Sequence, residues 1–152
     1  MSRGPEANFW NQIKKNLPKR SFATRIENKH GGGIPDAHII WDGRSLWFEL
    51  KVAKGMAVNL SPHQIAWNMA YFVAGGNCFY LVKSPSLRKI LLFDGSQGPA
   101  LSKLGLSGCR VGESGSRVGS GSGPLGRCFD QPKDLYQYLD IYFNKKRDLL
   151  VP

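Results

Sequence analysis

The chain has 152 residues, 41% hydrophobic and 21% charged, enough for one domain with a hydrophobic core and too few for two. No apolar run approaches the roughly 20 residues that span a bilayer, and the opening MSRGPEANFWNQIKKNLPKR lacks the apolar centre of a signal peptide, so a cytoplasmic protein with no membrane partner is expected. Three cysteines without a CxxC pair exclude a disulfide framework and a zinc ribbon, whereas a formal charge of +10 favours a polyanionic partner, nucleic acid first.

Pro5 to about Leu17 is predicted as a helix, with Pro5 in its first turn and Phe9, Trp10, Ile13 and Leu17 as its apolar stripe. Glu6 falls on that stripe by spacing, and as a first-turn acid it also suits the positive end of the helix dipole. SFATRIE reads as a strand leading into a mobile NKHGGG loop. AHIIW and SLWFELKV read as two strands joined at Asp42-Gly43, a strong hairpin signal. Ser61 to about Ala74 is a helix: Ser61 caps it, Pro62 opens it, Gln64 completes a capping box, and Gly75-Gly76 ends it. NCFYLVK and KILLFD are further strands. From Gly95 to about Gln131 the Gly/Ser-rich composition predicts a flexible insertion. PKDLYQYLDIYFNKKR then resumes a helical pattern through Leu135, Leu139 and Tyr142.

The hairpin places charges deliberately. A turn at Asp42-Gly43 sets Trp41 opposite Arg44, Ile39 opposite Leu46, and Asp36 opposite Glu49, with Lys51 on the Glu49 face by alternation. Ala37, Ile39, Trp41, Leu46, Phe48, Leu50 and Val52 take the other face, the expected core, and leave the charges on a solvent-facing cluster. Two carboxylates with Cβ atoms about 5 Å apart repel unless something positive lies between them. Mg²⁺ is the economical answer, with Mn²⁺ able to substitute, because it takes oxygen ligands from one or two carboxylates plus a substrate phosphate. The Leu50 carbonyl is a further ligand candidate, and Lys51 is placed to position or deprotonate an attacking water. Metal-assisted phosphodiester hydrolysis follows. The bland alternative keeps Asp36 as a turn acid and Glu49 as a strand residue paired with Lys51.

These residues, GIPD followed by FELK, resemble the PD-(D/E)XK nuclease superfamily. The order GIPDAHI, LWFELKV, LSPHQIAW, GGNCFYLVK is most similar to its VRR-NUC and archaeal Holliday-junction-resolvase-like members, many of them phage-encoded, over about Glu6 to Lys83. The resemblance implies an α/β, restriction-endonuclease-like fold, a mixed central sheet flanked by helices. It implies Asp36 and Glu49 as metal ligands, Lys51 as the catalytic lysine, and Gln64 as a supporting glutamine, which the capping box also explains. The superfamily's first acid points to Glu6, with Glu27 at the strand end as the alternative. The implied activity is a metal-dependent endodeoxyribonuclease on branched DNA, working as a homodimer, in a bacterial host cytoplasm if phage-encoded.

Lys14, Lys15, Lys19, Arg20, Arg25, Lys29 and Lys54 are candidate nucleic-acid contacts, and Arg110, Arg117 and Arg127 add charge to the insertion. His38 and Trp47 share the charged face and read as packing or DNA-facing residues; His63 reads as an ordinary helix-start residue. Two alternatives remain: a nuclease for duplex, flap or single-stranded DNA, and a non-catalytic basic nucleic-acid-binding module.

Overall fold

A computed structural model describes residues 4–27, 32–119 and 123–150, without the side chains of 147–150. Lys29 and most of the NKHGGG loop therefore lie outside the described residues. The elements are α1 (Pro5–Lys15), β1 (Ser21–Arg25), β2 (Ala37–Trp41), β3 (Arg44–Val52), α2 (Pro62–Val73), β4 (Asn77–Ser84), β5 (Lys89–Asp94), a short 3-10 turn (Gly95–Gln97), α3 (Gly98–Leu104), β6 (Arg117–Val118), β7 (Gly126–Phe129) and α4 (Pro132–Leu150).

Seven strands form one mixed sheet in the order β1-β2-β3-β4-β5-β7-β6. Among the described residues only the β3–β4 pairing is parallel, and α2 supplies the crossover that a parallel pair needs. The α/β architecture expected from the sequence, a mixed sheet flanked by helices, is the one that forms. The hairpin register is also the expected one, Trp41 opposite Arg44 through Ala37 opposite Phe48, and Asp42 and Gly43 both carry the positive φ of the tight turn.

One face of the sheet packs Ala37, Ile39, Leu46, Phe48, Leu50, Leu81 and Leu92 against Phe9, Trp10 and Ile13 of α1 and Leu135, Leu139 and Phe143 of α4. A hydrogen bond from Tyr136 Oη to the Ile13 carbonyl, 2.9 Å, joins the two helices. The other face packs Tyr80, Val82, Leu91 and Phe93 with Leu101 of α3 and Ile65 of α2. Strands β4 and β5 are covered on both faces, which is why they read as continuous apolar runs rather than alternating ones.

Two expectations are corrected. Segment 95–131 carries α3, β6 and β7, and Leu101, Leu106, Val118, Cys128 and Phe129 are buried from it, so its described part belongs to the sheet and its core. Sparse apolar residues suffice there because the neighbouring strands already provide a surface to pack on. On α4, Tyr142 is 37% exposed and Phe143 takes the buried position one turn after Leu139. Among the described residues no helix is long and apolar enough to cross a membrane.

Candidate active site

Asp36 immediately precedes β2, where the ladder ends, and is held from two sides. Its carbonyl accepts from the Ile26 N–H (2.6 Å) at the end of β1, and its Oδ2 accepts from the Leu50 N–H of β3 (3.0 Å). The carboxylate thus serves a strand donor that β2 no longer reaches. Asp36 is half-buried.

Glu49 is 1% exposed, not solvent-facing as the alternation suggested. Strand alternation identifies a face but not what covers it. Here α2 brings Gln64 over the carboxylate, and Gln64 Nε2 donates to Glu49 Oε1 at 2.7 Å. Lys51 Nζ lies 3.8 Å from the same oxygen. Glu49 Oε2 is buried without a hydrogen-bond partner among the described residues. Burial first, then the charge and contact of Asp36, push the Glu49 carboxyl up to about 9, with Lys51 pulling the other way. An acid left with one orphaned oxygen beside a second carboxylate is a place for a proton or a cation.

Gln64 both caps α2 and contacts Glu49. Its Oε1 accepts from the Ser61 N–H (2.9 Å) and Ser61 Oγ accepts from the Gln64 N–H (3.2 Å), completing the capping box while the amide nitrogen reaches Glu49. Gly33 fixes the loop ahead of Asp36 against this helix start: it has φ +73, and a Cβ there would run into the His63 carbonyl.

The structure does not gather a third acid. Among the described residues no group of three or more His, Cys, Asp or Glu side chains stands ready to hold a metal ion. Glu6 is half-buried in the first turn of α1, a helix that packs on the opposite face from Glu49, and Glu27 is exposed beyond β1. The basic candidates are dispersed. Lys14 and Lys15 are exposed at the end of α1, Lys19 and Arg20 in the turn after it, Arg25 is half-buried on β1, and Lys54 is exposed in the turn after β3. His63 is exposed at the start of α2.

Sequence reasoning missed two neighbours. Tyr80 lies directly beside Glu49 in the parallel register, fully buried, with its hydroxyl 3.5 Å from the Gln64 carbonyl. A parallel register has no local sequence signal. Trp67 follows Gln64 by nearly one helical turn and touches Trp47 (centroids 5.5 Å), which in turn meets His38 (4.4 Å). The spacing from Gln64 to Trp67 was enough to find it.

No family model matches the chain, and no curated protein matches it. Among solved structures it is similar to Archaeoglobus fulgidus Hjc, a Holliday junction resolvase from an archaeal hyperthermophile. The identity is 17% and the TM-score 0.46, over 60% of this chain and 75% of that one.

Proposed function

We propose that the chain is a metal-dependent endonuclease that hydrolyses DNA phosphodiester bonds, with branched DNA as its preferred substrate. The observation that carries the reading is the Asp36–Glu49 carboxylate pair, with one buried oxygen left unpartnered and Lys51 and Gln64 at the other. The donor set fits a hard divalent cation: Asp36, Glu49 and the Leu50 carbonyl would hold Mg²⁺, or Mn²⁺ in its place. Such an ion, when bound, polarises a phosphoryl oxygen and lowers the pKa of a bound water. Lys51 would position an attacking water and balance charge at phosphorus. Gln64 holds Glu49 in position. Glu6 and Glu27 are the candidates for a third acid, ranked by comparing Glu6→Gln with Glu27→Gln at limiting Mg²⁺; the resemblance favours Glu6. The dispersed lysines and arginines bind backbone phosphates, and a homodimer places two sites on two strands.

The preference for branched DNA rests on the resemblance of GIPD and FELK with their flanking order. The test is cleavage of four-way, flap, nicked, duplex and single-stranded DNA in Mg²⁺, Mn²⁺ and chelator, with sedimentation to measure the oligomer. Metal-dependent nicking that favours the four-way substrate is the expected result. Salt-sensitive binding without metal-dependent product would leave a non-catalytic binding module.

A further inference from the structure

On the α4 side of the sheet, the face opposite Glu49, a cavity of about 400 Å³ opens between β4, β5, β6, β7 and α4. This is within the size range of small-molecule sites, about 300–1,000 Å³. Phe79 and Leu92 contribute apolar surface, and Tyr138 and Tyr142 line it from α4, their ring centroids 6.1 Å apart and inclined by 27°.

Its charges are unusual for a structural void. Arg117 of β6 and Arg127 of β7 are direct register partners, and both line the cavity. Like charges directly opposite one another across an antiparallel pair are unfavourable. Neither guanidinium forms an ion pair with a carboxylate among the described residues. Arg127 is held in place: its guanidinium lies over the Tyr138 ring (5.1 Å) and donates to the Gly115 carbonyl (3.1 Å), while Arg117 is exposed. The third charged lining group is Asp94. Its Oδ1 accepts from the N–H and hydroxyl of Ser96, and its Oδ2 accepts no hydrogen bond among the described residues.

A pair of guanidiniums, two aromatic rings and a carboxylate oxygen in one cavity specify three features of a ligand. It needs an anion with several acceptor oxygens for the arginines, a planar apolar body for the rings, and an N–H donor for Asp94. We propose that this cavity binds a nucleotide: phosphate on Arg117 and Arg127, base against Tyr138 and Tyr142, exocyclic amino group toward Asp94. The same chemistry arrives as a free nucleoside monophosphate or as an unpaired residue of a strand. The inference does not rest on the hydrolytic reading, because the cavity and the carboxylate pair lie on opposite faces.

The test is calorimetric titration of the whole chain, in chelator, with dAMP, adenosine, dTMP and inorganic phosphate. Saturable binding of dAMP, tighter than of adenosine or phosphate alone and tighter than of dTMP, which lacks the amino group, is expected. Arg117→Ala should weaken dAMP by about tenfold, the loss of one charge-assisted contact, and leave adenosine unchanged. Tyr142→Leu, an independent change at the opposite wall, should weaken both. Displacement of dAMP by a deoxyadenylate oligonucleotide would assign the site to a strand; failure to displace it would assign the site to the free nucleotide. No saturation up to about 10 mM dAMP, or equal dAMP affinity in wild type and both variants with unchanged melting, overturns the proposal.

Discussion

Gln64 donates to Glu49 at 2.7 Å through the same amide whose oxygen closes the cap of α2 on Ser61. One side chain therefore couples the start of the crossover helix to a buried acid on the neighbouring strand. Gln64→Glu keeps an acceptor for the cap but sets a carboxylate against Glu49, whereas Gln64→Ala removes both contacts. In metal-free thermal melts, Gln64→Glu should cost more at about pH 8 than at about pH 5, because two carboxyls in contact resist joint ionisation in the folded protein, whereas the unfolded chain releases both protons. Gln64→Ala should lose about 1–2 kcal/mol with little dependence on pH. Equal pH dependence in the two variants would remove the coupling.

The position of Glu49 also predicts how the metal-free protein responds to pH. Its folded carboxyl is pushed up to about 9 from an ordinary 4.5, so between those values the folded state retains a proton that the unfolded chain releases. Stability associated with this group is therefore unaffected below the lower value and falls as pH rises toward the upper one, by at most about 1.4 kcal/mol per pH unit. Glu49→Gln should flatten this slope in denaturant titrations. On the proposed function, Mg²⁺ should flatten it in the wild type as well.

Asp36→Asn retains an oxygen for the Leu50 N–H, so folding should survive while the charge is lost. Cleavage is expected to fall by at least about a hundredfold, as when a group stabilising transition-state charge is removed. Lys51→Ala should lose cleavage yet still bind Mn²⁺. Wild-type turnover in either variant would remove that residue from the mechanism.

Gly33→Ala combines a left-handed φ with a Cβ that meets the His63 backbone, a contact no rotamer can relieve. The expected loss is about 1–3 kcal/mol of stability. Its effect on cleavage should exceed that of a Gly43→Ala change of similar stability, since Gly33 sets the approach of Asp36 to α2 and Gly43 lies at the far end of the hairpin. Paired melts and turnover numbers separate the two.

Deleting residues 107–126 should abolish cooperative unfolding, because it removes β6, the buried Val118 and the first residue of β7. A deletion variant that melts like the wild type would return the segment to the status of a tether.

The hairpin and its charged pair were legible in the sequence because the turn, the alternation and the register are all local. Asp42-Gly43 determines which residues oppose one another, and that sufficed to bring Asp36 and Glu49 together. The burial of Glu49 was not legible, because it depends on α2 crossing that face and on Tyr80 arriving through a parallel register. Segment 95–131 was misread for a related reason: its glycines and serines dominate the composition, while Leu101, Leu106, Val118 and Phe129 acquire their role only from strands distant in sequence.

The β3–α2–β4 crossover also has a consequence for the order of assembly. Strands β2 and β3 close a two-residue turn, whereas the β3–β4 ladder waits for the intervening helix to be laid down. While only the hairpin exists, Asp36 and Glu49 stand in water, where screening makes their repulsion inexpensive. Docking of α2 then desolvates Glu49, so the electrostatic penalty of the pair falls late and is concentrated on a single helix. That helix is thus the element most ready to lift away from the sheet when the pair is ionised and uncompensated. Amide exchange in 62–73 should accordingly quicken more than exchange in β4 as a metal-free sample is made alkaline, after correction for intrinsic rates.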